Sequence, residues 1–488
     1  MILDGMGNLV WTSDQYETTT NLKVQRYRGK DYLTFWSGHK AKTMGTGQYY
    51  MLDDTYSVVH TVNAVGDGLK ADLHEFKITP EDTALMTVYN KTNADLTEMG
   101  WFRGKDGWIV DNIFQEVDIA TGRLLFEWRA IDHFNPADSY MTNPFGGYTS
   151  GIPFDFFHIN SIEKDRNGDY LISSRHFHSV MLISGQTGEV MWELGGHSDD
   201  FEDLSDGAAS DFSWQHDARW LDEEAGILTL FDNGVAWPHV DAPYSEGRVI
   251  KLDFEKRTAE LLHTYVSLQH ARSSSQGSVQ FVDVGASEEH VFVGWGSSAA
   301  YSEFTPDGEL LCETHFAASA LFWWERVKSY RAFKYLDWHA TPKDWNPNAA
   351  IDSGMLAVSW NGATEVAFWE LRGTSLSDVV TETTEWKELD IVERDGFETS
   401  FVLPPRSEGI THFRVTALDA ERNVLRESNI VSRPARGSGW YILAVLSAVL
   451  CVGAVFGYWQ YRKRGWTTAD WRQYAQSAVD RTKYQKLW

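Results

Sequence analysis

Residues 156–192 read FFHINSIEKDRNGDYLISSRHFHSVMLISGQTGEVMW, and this stretch decides the fold. It opens with a short element, His158 to Ile162, continues with a strand at 169–174, and ends in two apolar stretches folded across a Gly-containing turn at 180–192. That last pattern, a few apolar residues, a polar turn and a second apolar stretch closing on Trp or Tyr, is a β-hairpin.

The hairpin recurs along the chain. Copies stand at 2–11 (ILDGMGNLVW), 50–62 (YMLDDTYSVVHTV), 114–128 (FQEVDIATGRLLFEW), 180–192, 249–265 (VIKLDFEKRTAELLHTY) and 301–316 (YSEFTPDGELLCETHF). Their starts lie 48, 64, 66, 69 and 52 residues apart, wider than a minimal four-stranded blade and compatible with blades that carry long loops. A further strand precedes five of them, at 31–36, 83–89, 169–174, 226–231 and 290–295. The repeat predicts an all-β chain whose residues 1–345 form a six-bladed β-propeller.

Three repeats add an element of common shape ahead of that strand: HEFKI at 74–78, HINSI at 158–162 and HDARW at 216–220, with QGSVQ at 276–280 in a fourth. Repeat-equivalent residues of a propeller lie at equivalent radii. If these elements are the innermost strands, His74, His158, His216 and Gln276 form a polar ring at the mouth of the channel, where a site would be built.

The pattern changes after Asp352. Strands at 355–369, 398–403, 411–418 and 423–431 are expected to form a fibronectin/Ig-like β-sandwich over 353–434. Residues 440–459 are twenty without a charge, with Trp440, Tyr441, Tyr458 and Trp459 at the ends, the length and aromatic belt of one transmembrane helix. Arg462, Lys463 and Arg464 then place the short basic tail, 460–488, in the cytosol and the acidic body on the extracellular or lumenal side. That topology calls for a signal segment, and the chain opens Met1-Ile2-Leu3-Asp4-Gly5 without a basic start or apolar run; either the segment lies upstream of Met1, the favoured reading, or the last helix inserts after synthesis and leaves the body in the cytosol. Asn90-Lys91-Thr92 is a glycosylation sequon.

A net charge of −26 disfavours nucleic acid as a partner. Aromatic residues are 14% of the chain, including 22 Trp, which favours strand-rich packing over disorder. Cys312 and Cys451 are the two cysteines, too few for a cysteine-ligated structural zinc.

The strings FFHINSIEKDRNGDYLISSRH (156–176) and FSWQHDARWLDEEAGILTLFDNG (212–234), with DLHEF (72–76), SSQGSVQ (274–280), GWGS (294–297) and VSWNGATEVAFW (358–369), resemble the arylsulfotransferase family, closest to its fungal and other eukaryotic branch. The resemblance implies a six-bladed propeller that moves a sulfuryl group from an aryl sulfate donor to a phenolic acceptor, without a nucleotide donor or a cofactor, through a transiently sulfated histidine aided by further histidines and an arginine. Carried over by motif, those histidines are His158 and His216, and the arginine is Arg248. The nucleophile departs from the pattern. Gln276 stands where the ring calls for histidine, and His270 is the nearest substitute in chain order.

The chemistry fits these side chains. A neutral imidazole is a fair nucleophile and a good leaving group at sulfur, and a second one suits proton transfer near neutral pH. Arg248 would hold sulfuryl oxygens, with His74, Asn160 and Gln276 as substrate-binding groups. Each of these residues also has a plain structural use, since a strand histidine commonly satisfies a backbone group between blades. Arg175, His176 and His197 are expected to be structural or solvated. A histidine ring can also bind a divalent ion, and propeller and sandwich together can serve as a non-catalytic, membrane-tethered binding scaffold.

Overall fold

The computed structural model describes residues 1–433 apart from 42, 100–103, 144, 286–287, 317–326 and 376–383. The expected transmembrane helix (440–459) and basic tail lie outside the described residues. Among the described residues the only helical elements are four three-residue 3₁₀ turns, and no helix is long and apolar enough to cross a membrane. The described residues are all-β.

Alternating apolar and polar residues punctuated by Asp and Gly fold into four-stranded antiparallel meanders. The first comprises Thr18–Tyr27, Lys30–Ala41, Met44–Leu52 and Val58–Val62; the second Ala71–Ile78, Thr83–Ala94, Gly107–Asp118 and Leu124–Arg129. The third runs through Ile159–Lys164, Tyr170–Ser174, Ser179–Ile183 and Val190–Gly195. His216–Asp222, Ile227–Asp232, Glu246–Asp253 and Thr258–Val266 form the fourth, and Ser278–Gly285, Glu288–Gly294, Ala300–Phe304 and Leu310–His315 the fifth. Aspartates fix the outer turns: Asp53 Oδ1 accepts the N–H groups of Thr55 and Ser57 at 2.9 and 3.0 Å, and Asp118 Oδ1 that of Thr121 at 2.7 Å.

The first strand of each meander adjoins the first strand of the next, so the sheets radiate from a centre as propeller blades do. Large aromatics fill the wedges between blades. Phe114, Trp128, Phe157 and Tyr170 pack between the second and third, and Phe231, Tyr265 and Trp295 between the fourth and fifth. Burying each such ring removes some 150–250 Å² from water and dominates the core's stability.

All six hairpins are present, but only five belong to complete four-stranded blades among the described residues. The hairpin of Ile2–Leu3 and Leu9–Trp11 packs Trp11 onto Leu33, Phe35 and Leu52 of the first blade. Between the fifth and first blades runs the extended segment 329–336. Gln280 clasps Lys334 on one side, through Nε2 to the carbonyl at 3.0 Å and Oε1 from the N–H at 2.8 Å, while Arg331 Nη1 reaches Asn21 Oδ1 at 3.4 Å on the other. A cavity of about 940 Å³ lies there, bordered by Phe35, Phe292, Tyr301 and the N-terminal hairpin.

The C-terminal sheets pair Asn348–Asp352, Met355–Ser359 and Glu398–Val402 in one layer, and Lys387–Glu393, Phe368–Thr374, His412–Leu418, Val424–Glu427 and Val431–Ser432 in the other. Their shared core holds Trp360, Trp369, Phe401 and Phe413. Asn348–Asp352 and Lys387–Glu393 were not read as strands in the sequence. The sandwich is tied to the first blade where Tyr56 donates to the Gly362 carbonyl at 2.8 Å.

Candidate functional site

Four of the five inner strands break register near their N-terminal ends. Thr20 pairs with Trp36 but Lys23 with Thr34; Ala71 pairs with Val88 but Phe76 with Met86; Ile159 pairs with Ser174 but Ser161 with Ser173; His216 pairs with Phe231 but Arg219 with Thr229. A bulge re-aims the side chains it contains, and these four turn polar groups toward the propeller axis. Backbone strain accompanies them: His158, Asp217 and Gln276 adopt φ of 63°, 57° and 69°, a region costly to non-glycine residues and frequent at functional sites.

His74 and His158 meet there, ring centres 4.6 Å apart at 78°. Each is anchored by a carboxylate behind it. His74 Nδ1 bonds Asp72 Oδ1, whose other oxygen takes the Gly45 N–H at 2.6 Å. His158 Nδ1 bonds Asp155 Oδ2 at 2.6 Å, and Asn112 Nδ2 donates to Asp155 Oδ1 at 3.3 Å. A carboxylate that accepts from Nδ1 fixes the tautomer and leaves the lone pair on Nε2. Among the described residues no hydrogen bond occupies that Nε2 in either ring.

His216 and His176 are differently committed. His216 Nδ1 lies 2.7 Å from Asn233 Oδ1, and its Nε2 accepts the Gln276 N–H at 3.1 Å. His176 Nδ1 donates to the Asp155 carbonyl at 2.7 Å, and its Nε2 accepts from Arg175 Nη1 at 2.9 Å. Both rings have spent both nitrogens. Burial holds His158, His176 and His216 well below the ordinary imidazole range, helped by the charge of Arg175. Arg175, itself buried, is drawn down to about 10 by desolvation and so stays protonated at neutral pH.

The walls are aromatic. Tyr89 stacks on His74 with centres 4.9 Å apart, Tyr330 meets His74 edge-on at 5.7 Å, and the Arg175 guanidinium lies 5.2 Å from the centre of the Trp214 ring. Buried polar atoms around this cluster that lack a hydrogen-bond partner among the described residues include Asn160 Oδ1, Arg175 Nε, Gln276 Oε1 and Tyr330 Oη. Nearby, buried Glu75 pairs with Lys23 at 3.2 Å, with Arg331 at 3.1 Å and with Arg219; Asp217 pairs with Arg219 at 2.8 Å and Arg331 at 3.2 Å. Burial alone would raise the Glu75 carboxyl, but Arg219, Arg331 and Lys23 outweigh it and hold it well below the usual range.

The structure therefore brings together His74, His158, His216 and Gln276. Asn160, fully buried, sits beside them; its side-chain Nδ2 donates to the Gln215 carbonyl at 2.7 Å and its backbone carbonyl accepts from Arg331 at 2.6 Å, while Oδ1 has no partner among the described residues. Arg248 is held elsewhere, by Asp232 at 2.7 Å, Glu246 at 2.9 Å and the Ala208 carbonyl at 3.0 Å. His270 is exposed, its ring 5.0 Å from that of Tyr244. Arg175 and His176, expected to be structural or solvated, are buried against the cluster instead. Asp72 and Asp155 were not singled out, although D-x-H in DLHEF and D-x-x-H in DFFH were signals in the sequence. Nothing local marked Tyr330 or Arg331, which arrive from the far end of the propeller.

Asp155, His158 and His176 offer ligand atoms within 4.8 Å of one another. A metal there would have to displace Arg175 from His176 Nε2 and seat beside its cation, so this donor set does not suit a divalent ion.

The sequence profile of arylsulfotransferases (ASST) matches residues 23–317, more than half of the chain, and the chain belongs to that family. None of the curated proteins matches. Among solved structures, a protein of unknown function from Bacteroides caccae is 12% identical with a TM-score of 0.35, covering 64% of this chain and 86% of that one. A β-propeller domain from Myceliophteria thermophila gives 12% and 0.35, covering 63% and 89%. Virginiamycin B lyase from Staphylococcus aureus gives 10% and 0.32, covering 64% and 75%.

Proposed function

We propose that this member of the arylsulfotransferase family moves a sulfuryl group between phenols through a sulfohistidine, with His158 as nucleophile and His74 as base. The observation that carries it is the pair of carboxylate-anchored imidazoles, ring centres 4.6 Å apart, whose Nε2 atoms make no hydrogen bond among the described residues.

In the first half-reaction His158 Nε2 forms a bond to sulfur as the sulfur–aryl oxygen bond breaks, its electron pair leaving with the phenolate. Asp155 stabilises the positive charge that the imidazole acquires. Arg175, beside His158 and His176, offers N–H groups to the sulfuryl oxygens. In the second half-reaction His74 Nε2 takes the proton of the acceptor phenol, the phenolic oxygen attacks sulfur, and the nitrogen–sulfur bond returns its pair to His158. His74 then releases that proton to solvent, from which the phenolate freed in the first half-reaction takes one up, so that one sulfate ester and one phenol become the other pair.

Arg175 takes the place assigned to Arg248, and His158 the role left open for His270. Attachment to a membrane through 440–459, with the acidic body outside the cytosol, belongs to the same proposal and is supported by the charge-free stretch and the basic residues after it.

Brief exposure of the purified protein to 4-nitrophenyl sulfate followed by peptide mass spectrometry is the test. A sulfuryl adduct on His158 with release of nitrophenol is expected. An adduct on another residue reassigns the nucleophile. Unmodified protein without nitrophenol favours a scaffold that binds and does not turn over.

A further inference from the structure

We infer that Tyr330 is a further catalytic residue of this site, its hydroxyl donating a hydrogen bond to the aryl oxygen that leaves sulfur. This rests on the sulfuryl-transfer proposal above and extends it to a residue that no motif marks.

Tyr330 is 7% exposed, and its hydroxyl is buried with no hydrogen-bond partner among the described residues. Native proteins rarely leave such a group unpaired, because the desolvation it suffers is not recovered. An unpaired buried hydroxyl on a ring that touches His74 and His216 is a donor available to a bound ester. Asn160 Oδ1, Arg175 Nε and Gln276 Oε1 are likewise unpaired around the same cluster among the described residues, so unmet hydrogen-bonding groups converge there from separate parts of the chain.

The position of the ring is imposed from both sides. Its backbone carbonyl accepts the Gly277 N–H at 3.1 Å, and the next residue, Arg331, is clamped by Glu75 and Asp217. The ring stands edge-on to His74, 5.7 Å between centres, and to His216, 6.5 Å. His158 has other neighbours: His74, Tyr89 and His176. Tyr330 thus borders the cluster from the His74 and His216 side, where its hydroxyl can meet the oxygen that leaves sulfur. Arg175, bonded to His176 Nε2 and lying over the Trp214 ring, offers its N–H groups to the sulfuryl oxygens.

Burial, with the charges of Glu75, Asp72 and Asp217 adding to it, pushes the phenol far above its ordinary range, so the hydroxyl stays protonated and acts as a donor. No proton changes hands in this step. The sulfur–oxygen bond breaks, its electron pair goes to the aryl oxygen, and the hydrogen bond from Tyr330 shortens as negative charge grows there. The better the phenol is at bearing that charge, the less it needs this help.

The test is Tyr330→Phe in the full-length chain, assayed with 4-nitrophenyl sulfate and with phenyl sulfate, together with a thermal melt. The expected result is a loss of roughly a hundredfold or more with phenyl sulfate, a clearly smaller loss with 4-nitrophenyl sulfate, and a melting temperature that holds or rises because an unpaired hydroxyl has gone. Equal losses with the two esters, or a lower melting temperature, overturn the role of Tyr330 while leaving sulfuryl transfer in place. A wild-type chain that turns over neither ester overturns both.

Discussion

The imidazoles of His74 and His158 meet edge to face, 78° between planes, each with its own aspartate bonded to Nδ1. Two rings held in the same tautomer, with open Nε2 atoms and different neighbours, divide a two-step transfer between them. His158→Ala should abolish the sulfuryl adduct. His74→Ala should still form the adduct from 4-nitrophenyl sulfate but lose turnover to an acceptor phenol. Burst kinetics separate the two, since a burst without steady-state turnover is the signature of the second variant.

Asp155→Asn keeps the shape of the side chain but removes the charge that stabilises the His158 imidazolium, and its amide N–H₂ competes for Nδ1. A fall in kcat of about 10²- to 10⁴-fold is expected, from the behaviour of an orienting aspartate beside a catalytic histidine. Circular dichroism and melting should barely change. An equal loss of stability and activity would make Asp155 a structural anchor.

Arg175 and Arg248 should separate cleanly. Arg248→Ala leaves Asp232 buried without its cation and should cost stability, about 3–5 kcal/mol as for other broken buried pairs, with the turnover of the surviving folded protein intact. Arg175→Ala should cut turnover by about 10²- to 10³-fold, the loss seen on removing one transition-state donor, with a smaller effect on urea unfolding. The opposite pattern would return the sulfuryl-binding role to Arg248.

Acid should unfold this protein early. His158, His176 and His216 bind protons in the unfolded chain at an ordinary value of about 6.5, whereas burial suppresses their protonation in the folded state. The unfolded state therefore binds more protons below about pH 6.5, so stability rises with pH through that window and is lost on acidification. Glu75, held low by Arg219, Arg331 and Lys23, adds a loss of the same sign below about pH 4.3. Melting temperatures taken between pH 8 and pH 4.5 should fall steadily below pH 6.5, and the histidine-to-alanine variants should fall less. A flat profile would mean that these rings are not desolvated.

The repeat was legible in the sequence because local chemistry sets it. Apolar alternation makes strands, Asp and Gly make turns, and a residue such as Asp118 does its work within three positions of itself. The six hairpins, the strands ahead of five of them and the inner elements carrying His74, His158 and His216 all emerged on that basis. The inner strand Thr18–Tyr27 did not, since its polar run TTTNLKVQRY lacks a clear apolar alternation and is recruited by its neighbours.

The sequence by itself determined the all-β class, the family and the ring of histidines. Which imidazole nitrogen is open, which arginine stands beside them and where the propeller closes were decided by tertiary structure alone. Arg175 follows the strand Tyr170–Ser174, whereas Arg248 lies within Glu246–Asp253 beside Glu246. What separates them is their partners across the fold: Arg175 meets His176 and the Trp214 ring, while Asp232 and Glu246 capture Arg248. Tyr330 and Arg331 reach His74 and Glu75 from more than 250 positions away, a proximity created only when the blades close into a ring.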